Sequence, residues 1–164
     1  MKTLMLSMVA FLLGGCATIT PYSGPKSSHA ASVTLEASGL VKHAALANDV
    51  LFIHLFDDGG SRKLGTIKFT TDHAQENIRV DSGQALILGF MSVQSNFGGY
   101  TTCNRDVPFV ADDSSQYIVA YSTTKTACTI RISKLSSTGS LTLLSEVAGV
   151  VSGMQFNVSV RASH

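Results

Sequence analysis

The stretch Val50 to Phe56, VLFIHLF, limits the fold more than any other part of this chain. It is apolar throughout except at His54, and Asp57-Asp58-Gly59-Gly60 stops it at once. A run this short, ended by turn-forming residues, fits a strand inside a sheet, since helices need roughly ten or more residues of periodic pattern. Period-two alternation puts Val50, Phe52, His54 and Phe56 on one face and Leu51, Ile53 and Leu55 on the other. Both faces are apolar, which predicts a central strand. The next apolar run, about Lys63 to Thr71, places Gly65, Ile67 and Phe69 on one face, and the Asp-Gly between the two runs is a hairpin signal.

The same alternation of apolar run and turn cluster continues to the C-terminus. Val33 and Leu35 begin a short first strand, and residues 39–48 read as a loop or one short helix. Ile78 to Val80 enters the turn Asp81-Ser82-Gly83. Ala85 to Val93 is again apolar on both faces, with Leu86, Leu88 and Phe90 opposite Ile87, Met91 and Val93. Residues 94–102, QSNFGGYTT, break the pattern. Thr102 to Val110 resumes it, and Pro108 puts that strand at an edge or a bulge because proline has no N–H to donate. Gln116 to Ser122 and Thr126 to Leu135 follow, the second with Cys128, Ile130 and Ile132 facing in and Thr129 and Arg131 facing out. Leu141 to Leu144 and Met154 to Val160 give two last strands around a Gly-rich bend. Many short strands separated by turns every eight to twelve residues or so predict an all-β fold, an antiparallel β-sandwich or a partly open barrel.

The N-terminus carries a more specific pattern. Lys2 precedes an apolar run from Leu4 to Leu13 of about ten residues, half of the roughly 20 that a membrane-spanning helix needs, and Leu13-Gly14-Gly15-Cys16 ends it. This layout resembles the lipobox signal peptide of bacterial lipoproteins. The resemblance implies cleavage after residue 15, acylation of Cys16 with several chains and, since Ala17 is not Asp, transport to the outer membrane. One acyl chain anchors weakly and two or more anchor stably, at about 0.8 kcal/mol per buried methylene. The expected organisation is therefore a signal peptide over 1–15, a lipidated Cys16 with a flexible Pro/Ser/Gly-rich tether over 16–31, and one domain over 32–164. From about Val50 to Leu135 the layout also resembles, loosely, the small Ig-like or transthyretin-like sandwich domains of bacterial lipoproteins. An Ile78-to-Gly83 turn and the Gln116-Tyr117-Ile118-Val119 strand carry that likeness, which implies a fold and no site.

With Cys16 assigned to lipid, Cys103 and Cys128 remain, and an even pair in an oxidising compartment reads as a disulfide. A metal pair or a redox couple lacks C-x-x-C spacing and a nearby His. Removing residues 1–15 takes Lys2 away from 12 basic residues and leaves 11 against 11 acidic ones. A neutral, sparsely charged chain has no electrostatic footprint for nucleic acid and no polybasic patch for headgroups.

The sequence holds no Gly-x-Ser-x-Gly elbow, P-loop or dinucleotide fingerprint. Asp57-Asp58 and Asp112-Asp113 sit in expected turns, where Asp bonds its own backbone. His29, His43, His54, His73 and His164 show no metal-ligand spacing on one element, so no metal or other cofactor is expected. His54 stands out within a core strand, with backbone hydrogen bonding the plain reading and a ligand or base the alternative. The best recognition candidate is the loop Asn96, Phe97, Gly98, Gly99 and Tyr100, two aromatics around paired glycines just before Cys103. Aromatic anchors bury much area at low entropic cost, although both rings could equally cap the core. The expected function is a non-catalytic binding or structural domain held at the outer membrane through Cys16, with an envelope protein or surface component as partner. A subunit of a secretion or surface assembly, or a hydrolase or metal-binding protein with a spatially assembled site, is the alternative.

Overall fold

The structure, a computed structural model, describes residues 19–44, 47–57, 60–96 and 99–155. The Leu13-Gly14-Gly15-Cys16 motif, Ala17, Phe97, Gly98, His164 and the part of the last expected strand after Gln155 lie outside the described residues. Ten strands are present: β1 (Ala31–Ser38), β2 (Val50–Phe56), β3 (Lys63–Phe69), β4 (Gln75–Val80), β5 (Ala85–Asn96), β6 (Gly99–Val110), β7 (Gln116–Thr123), β8 (Ala127–Leu135), β9 (Leu141–Val150) and β10 (Ser152–Gln155). They form two five-stranded sheets in the orders β4-β1-β7-β8-β9 and β10-β6-β5-β2-β3. The fold is the expected all-β sandwich. Every pairing is antiparallel except β1 with β7. A parallel pair needs a long crossover, and residues 39–115, which build most of the other sheet, supply it.

One apolar layer lies between the sheets. Leu51, Ile53 and Leu55 of β2 are fully buried there, with Leu86, Leu88 and Phe90 of β5, Val33 and Leu35 of β1, Val119 of β7 and Ile130 and Ile132 of β8. Two aromatic pairs bridge the sheets: Phe90 stacks on Tyr121 at 6.1 Å, and Phe109 meets Tyr117 edge-on at 5.1 Å. Both tyrosine hydroxyls are partnered, as burial demands. Tyr121 donates to Ser92 Oγ at 2.7 Å, and Tyr117 Oη accepts from the Asp112 N–H at 2.8 Å.

β1, β3, β5, β7 and β9 all run from one end of the sandwich to the other, and β2, β4, β6 and β8 run back. β9 passes through Val151 into β10 without reversing, because β10 is antiparallel to the start of β6. It is one bent strand that changes sheets. The two ends of the sandwich therefore differ. We call them the entry end, where β1, β5, β7 and β9 start, and the far end, where β5 and β6 turn.

Several expectations are corrected. The segment expected to be a flexible tether through Ala31 is docked from Thr20 onward. Thr20 and Tyr22 exchange backbone hydrogen bonds with Thr66 on the outer edge of β3 (Thr66 N to Thr20 O, 2.9 Å), and Pro21 bridges Thr66 in parallel. Gly65 makes room for this: a Cβ there would overlap the Tyr22 backbone. Tyr22 packs against the core and donates its hydroxyl to Arg79 O on β4 at 2.8 Å. Burial, with the Asp81 carboxylate nearby, pushes that hydroxyl's pKa up to about 12. Tyr22 thus closes the gap between the two sheets along the β3/β4 side. Of the loop or short helix expected over 39–48, the described residues form the loop. The expected break over 94–102 is mostly strand, since β5 continues to Asn96 and β6 begins at Gly99. β9 continues through the expected Gly-rich bend to Val150.

Cys103 of β6 and Cys128 of β8 form the expected disulfide, joining the two sheets with Cα atoms 6.5 Å apart. Gly149 belongs to β9 because the sulfurs take its side-chain space: a Cβ would lie 2.9 Å from each. Pro108 lies on an edge, as expected: among the described residues β10 pairs with Gly99–Thr102, and no strand pairs with Cys103–Val110 on that side. The disulfide closes a loop with a sequence separation of 25, for which chain entropy gives a contribution of about 3.5 kcal/mol. Reduction, or a Cys103→Ala/Cys128→Ala double variant, should lower unfolding free energy by about that amount in urea denaturation. Unchanged stability would show that the bond adds nothing to the packing around Gly149.

Candidate functional site

The site is built at the far end, where the β1–β2 connection meets the β5–β6 ribbon. β1 ends at Ser38, and Gly39, at φ +82°, turns the chain against β7; a Cβ there would overlap the Thr123 carbonyl. The connection then returns on itself and is held by one side chain. Asp49 Oδ2 accepts the Val41 N–H at 3.0 Å, and Oδ1 accepts the Ser95 N–H at 3.0 Å and bonds His43 Nε2 at 3.0 Å. The Asp49 N–H donates to Val41 O at 3.1 Å, and the His43 N–H donates to Asn48 Oδ1 at 2.9 Å. The Asp49 side chain is only 3% exposed, whereas His43 is 22% exposed. A buried carboxyl group is tolerated when donors surround it, and here two backbone amides and an imidazole do so. For that last bond Nε2 carries the proton, which fixes the tautomer of a neutral His43 ring.

Asp49 and His43 form one wall of a recess of about 310 Å³, with Val41, Gln94, Ser95, Asn96, Thr101 and Lys125 forming the rest. Most of the residues around it are polar, but carbon atoms make up most of the surface they turn toward it; Thr101 Oγ1 donates to Gln94 Oε1 at 3.4 Å. The recess can receive a projecting side chain. Its acidic group is already satisfied by backbone donors, so it serves to hold the wall in place. Among the described residues, no three His, Cys, Asp or Glu side chains gather to hold a metal ion.

Of the recognition loop expected at Asn96, Phe97, Gly98, Gly99 and Tyr100, the structure describes three residues. Asn96 ends β5 on the rim of the recess and pairs with Gly99; Phe97 and Gly98 lie outside the described residues. Gly99 and Tyr100 begin β6 and are half-buried, with Tyr100 between Ser95 and Met154 in the sheet register. The disulfide stands close behind: Cys103 is two positions from Thr101, and Cys128 is three from Lys125. The expected platform of a bridge beside this turn is present in outline. Its recess, with Asp49 and His43, was not expected. The sequence signals that bear on it are Gly39 and Asn48-Asp49, turn residues set directly before the most apolar strand of the chain.

A second concavity, of about 400 Å³, lies on the outer face of the β2/β5/β6 sheet. Here His54 corrects the expectation of a core imidazole. It is half-buried on the outside, with Nδ1 2.9 Å from Thr66 Oγ1 and its ring between Phe52 (parallel, 6.3 Å) and Phe56 (edge-on, 6.2 Å). His54, Gly89 and Asp106 are cross-strand neighbours. Gly89 forms the floor, since a Cβ would meet Asp106 Oδ1 at 3.0 Å and the Phe56 ring at 3.2 Å. Gly60, Ile87, Phe90, Met91 and Asn104 complete the lining. The imidazole pKa is lowered from its usual value, first by burial and then by the Lys63 cation, while Asp106 opposes the shift. Neither a family model nor a curated protein nor a solved structure matches the chain, so both sites are read from geometry alone.

Two outcomes follow from these contacts. Asp49→Ala should cost about 1–3 kcal/mol, because the Val41 and Ser95 amides lose their acceptor inside the protein, and amide exchange at those two residues should accelerate. Slow exchange at both in the variant would mean that Asp49 does not hold the connection. For His54, a lowered folded pKa means the unfolded chain binds the proton more readily. Its contribution to stability is therefore complete above the unfolded value of about 6.5 and is lost as pH falls through the folded value. His54→Gln should flatten that part of the stability profile, and the imidazole's NMR titration should have its midpoint below 6.5 or so. A midpoint above it would contradict the described surroundings.

Proposed function

We propose that this protein is a lipoprotein of the bacterial outer membrane, anchored by acyl chains on Cys16, whose β-sandwich is a non-catalytic binding or structural domain of the cell envelope. The observation that carries the reading is directional. Ile19 and Thr20, just downstream of Leu13-Gly14-Gly15-Cys16, lie at the entry end, and the recess of Asp49, His43 and Asn96 opens at the far end. An anchored domain of this kind offers its recess away from its attachment, toward an envelope protein or surface component. Thr20 lies beside Gly65, which the register sets level with Leu88 of β5, and the stretch from Leu88 to Asn96 separates the two by roughly 27 Å at about 3.4 Å per residue.

The free edge of β6 over Cys103–Val110 favours a second reading, a subunit of a secretion or surface assembly that accepts a partner strand there. One experiment addresses attachment and partner together. The full chain and its Cys16→Ser variant are expressed with labelled palmitate, membranes are fractionated, and a photo-cross-linker placed at Asn96 is activated in intact cells. The wild-type chain should carry label in the outer-membrane fraction and trap a discrete neighbour, and the variant should carry no label. Label absent from the wild type would remove the anchor. Labelled protein with no neighbour trapped from Asn96 would remove the far end as a binding surface.

A further inference from the structure

The turns at the entry end, residues 82–84, 112–115 and 136–140, are polar, and large apolar side chains are exposed on the strands just inside them. Seven large apolar side chains are exposed among the described residues, and five lie toward this end: Ile19 (51%), Val110 (55%), Leu141 (55%), Leu143 (55%) and Leu144 (52%). Val110 is the last residue of β6, Leu141 the first of β9, and Leu143 and Leu144 follow within one more pleat. Exposed apolar residues scattered singly need no explanation, but a concentration at one end does. Three ion pairs form at the same end, beside Lys63, Arg79 and Asp81. Lys134 pairs with Asp112 at 2.7 Å, Arg62 with Asp57 at 3.2 Å, and His29 with Asp113 at 3.0 Å.

The covalent chain limits what can cover this end. Thr20 is fixed to Thr66, and the backbone runs parallel to β3, so Ile19 lies toward the start of β3 at the entry end. From Ile19 back to Cys16 is three residues, a reach of about 10 Å when fully extended. If Cys16 carries lipid, the entry end lies within that distance of the bilayer surface. The β3/β4 side holds the leash, and the β6/β9 side holds Val110 and the leucines, some four strand spacings away, or about 19 Å.

We propose that the entry end rests on the lipid bilayer, with Val110, Leu141, Leu143 and Leu144 seated among the headgroups as a second contact beside the acylated Cys16. This inference depends on the anchor reading above. The domain stands upright on two contacts, one covalent and one apolar, and the far-end recess faces away from the membrane. It does not swing on a long tether. Ion pairs already formed within the end reduce the charge that the headgroup region must accommodate, and apolar side chains there gain in proportion to the area they bury.

The chain contains no tryptophan, so single Trp probes report without background. The lipidated full-length protein is reconstituted in phosphatidylethanolamine/phosphatidylglycerol vesicles, with and without bromine on the acyl chains, carrying Leu143→Trp, Val110→Trp or, at the far end, Val41→Trp. Circular dichroism confirms folding, and palmitate labelling confirms the anchor. The inference expects Leu143→Trp and Val110→Trp emission to shift to the blue and be quenched by brominated lipid, with Val41→Trp unaffected. Labelled, vesicle-bound protein whose Leu143→Trp and Val110→Trp emissions are unquenched overturns the resting contact and leaves the anchor standing. Protein without label overturns the anchor and this inference together. A blue shift that needs no vesicles and grows with protein concentration also overturns it, because the leucines would then join copies of the chain.

Discussion

Two sheets enclose a single apolar layer, so each strand can place only one of its faces inside. The rest of the molecule follows from this constraint. β2 and β5 are apolar on both faces, yet only Leu51, Ile53, Leu55, Leu86, Leu88 and Phe90 reach the layer. Their other faces, with Phe52, Phe56, Ile87 and Met91, stay half-buried on the outside, sheltered by neighbouring side chains and by the absence of a side chain at Gly89. A sheet with polar outer residues would leave nothing to notice there. Here the outer face keeps an apolar floor with His54, Asn104 and Asp106 at its margin.

The same constraint explains how the open sides are closed. A sandwich exposes core along the gap between edge strands, and something must fill each gap. On the β3/β4 side the filler is Tyr22, brought in by a short parallel pairing with β3 and accepted only because residue 65 is glycine. On the other side the chain itself bends from β9 into β10, with Arg105 Nε donating to Ala148 O at 3.3 Å across the gap. Closing the first side with the N-terminal segment has a directional consequence. Ile19 and Thr20 are held toward one end of the molecule, and every loop is thereby proximal or distal to them.

Much of this was legible in the sequence where local signals agreed. β2 was read to the residue because an apolar run and a turn cluster share its boundary, and in β8 the alternation of Cys128, Ile130 and Ile132 with Thr129 and Arg131 matched its burial. β9 was only partly legible. A register shift opposite Ile132 and Ser133 breaks the period of two near Leu144, and Gly149 reads as a bend until the disulfide beside it is known. The two-sided apolar pattern of β2 indicated a strand with neighbours on both edges, which is right, and left open whether its outer face is covered. Periodicity reports apolar character and says nothing of whether a third layer exists. The recess was out of reach for a different reason. Asp49 and Ser95 are 46 residues apart and meet only through the sheet register.

The far end depends on that meeting more than its composition implies. Past Val93 and Thr102, β5 and β6 continue as a ribbon with β10 as its one neighbouring strand among the described residues, and a two-stranded ribbon in water is marginal by itself. Two attachments hold it. The disulfide ties Cys103 to β8 in the opposite sheet, and Asp49 ties the Ser95 amide to the β1–β2 connection. They act at different heights and on different strands, one on β6 and one on β5, so together they resist both splaying and twisting of the ribbon. A wall made of Gln94, Ser95, Asn96 and Thr101 can keep a fixed shape opposite His43 only while both attachments are intact. The recess is therefore a consequence of how the ribbon is braced, and the buried carboxyl group of Asp49 belongs to the architecture before it belongs to any ligand.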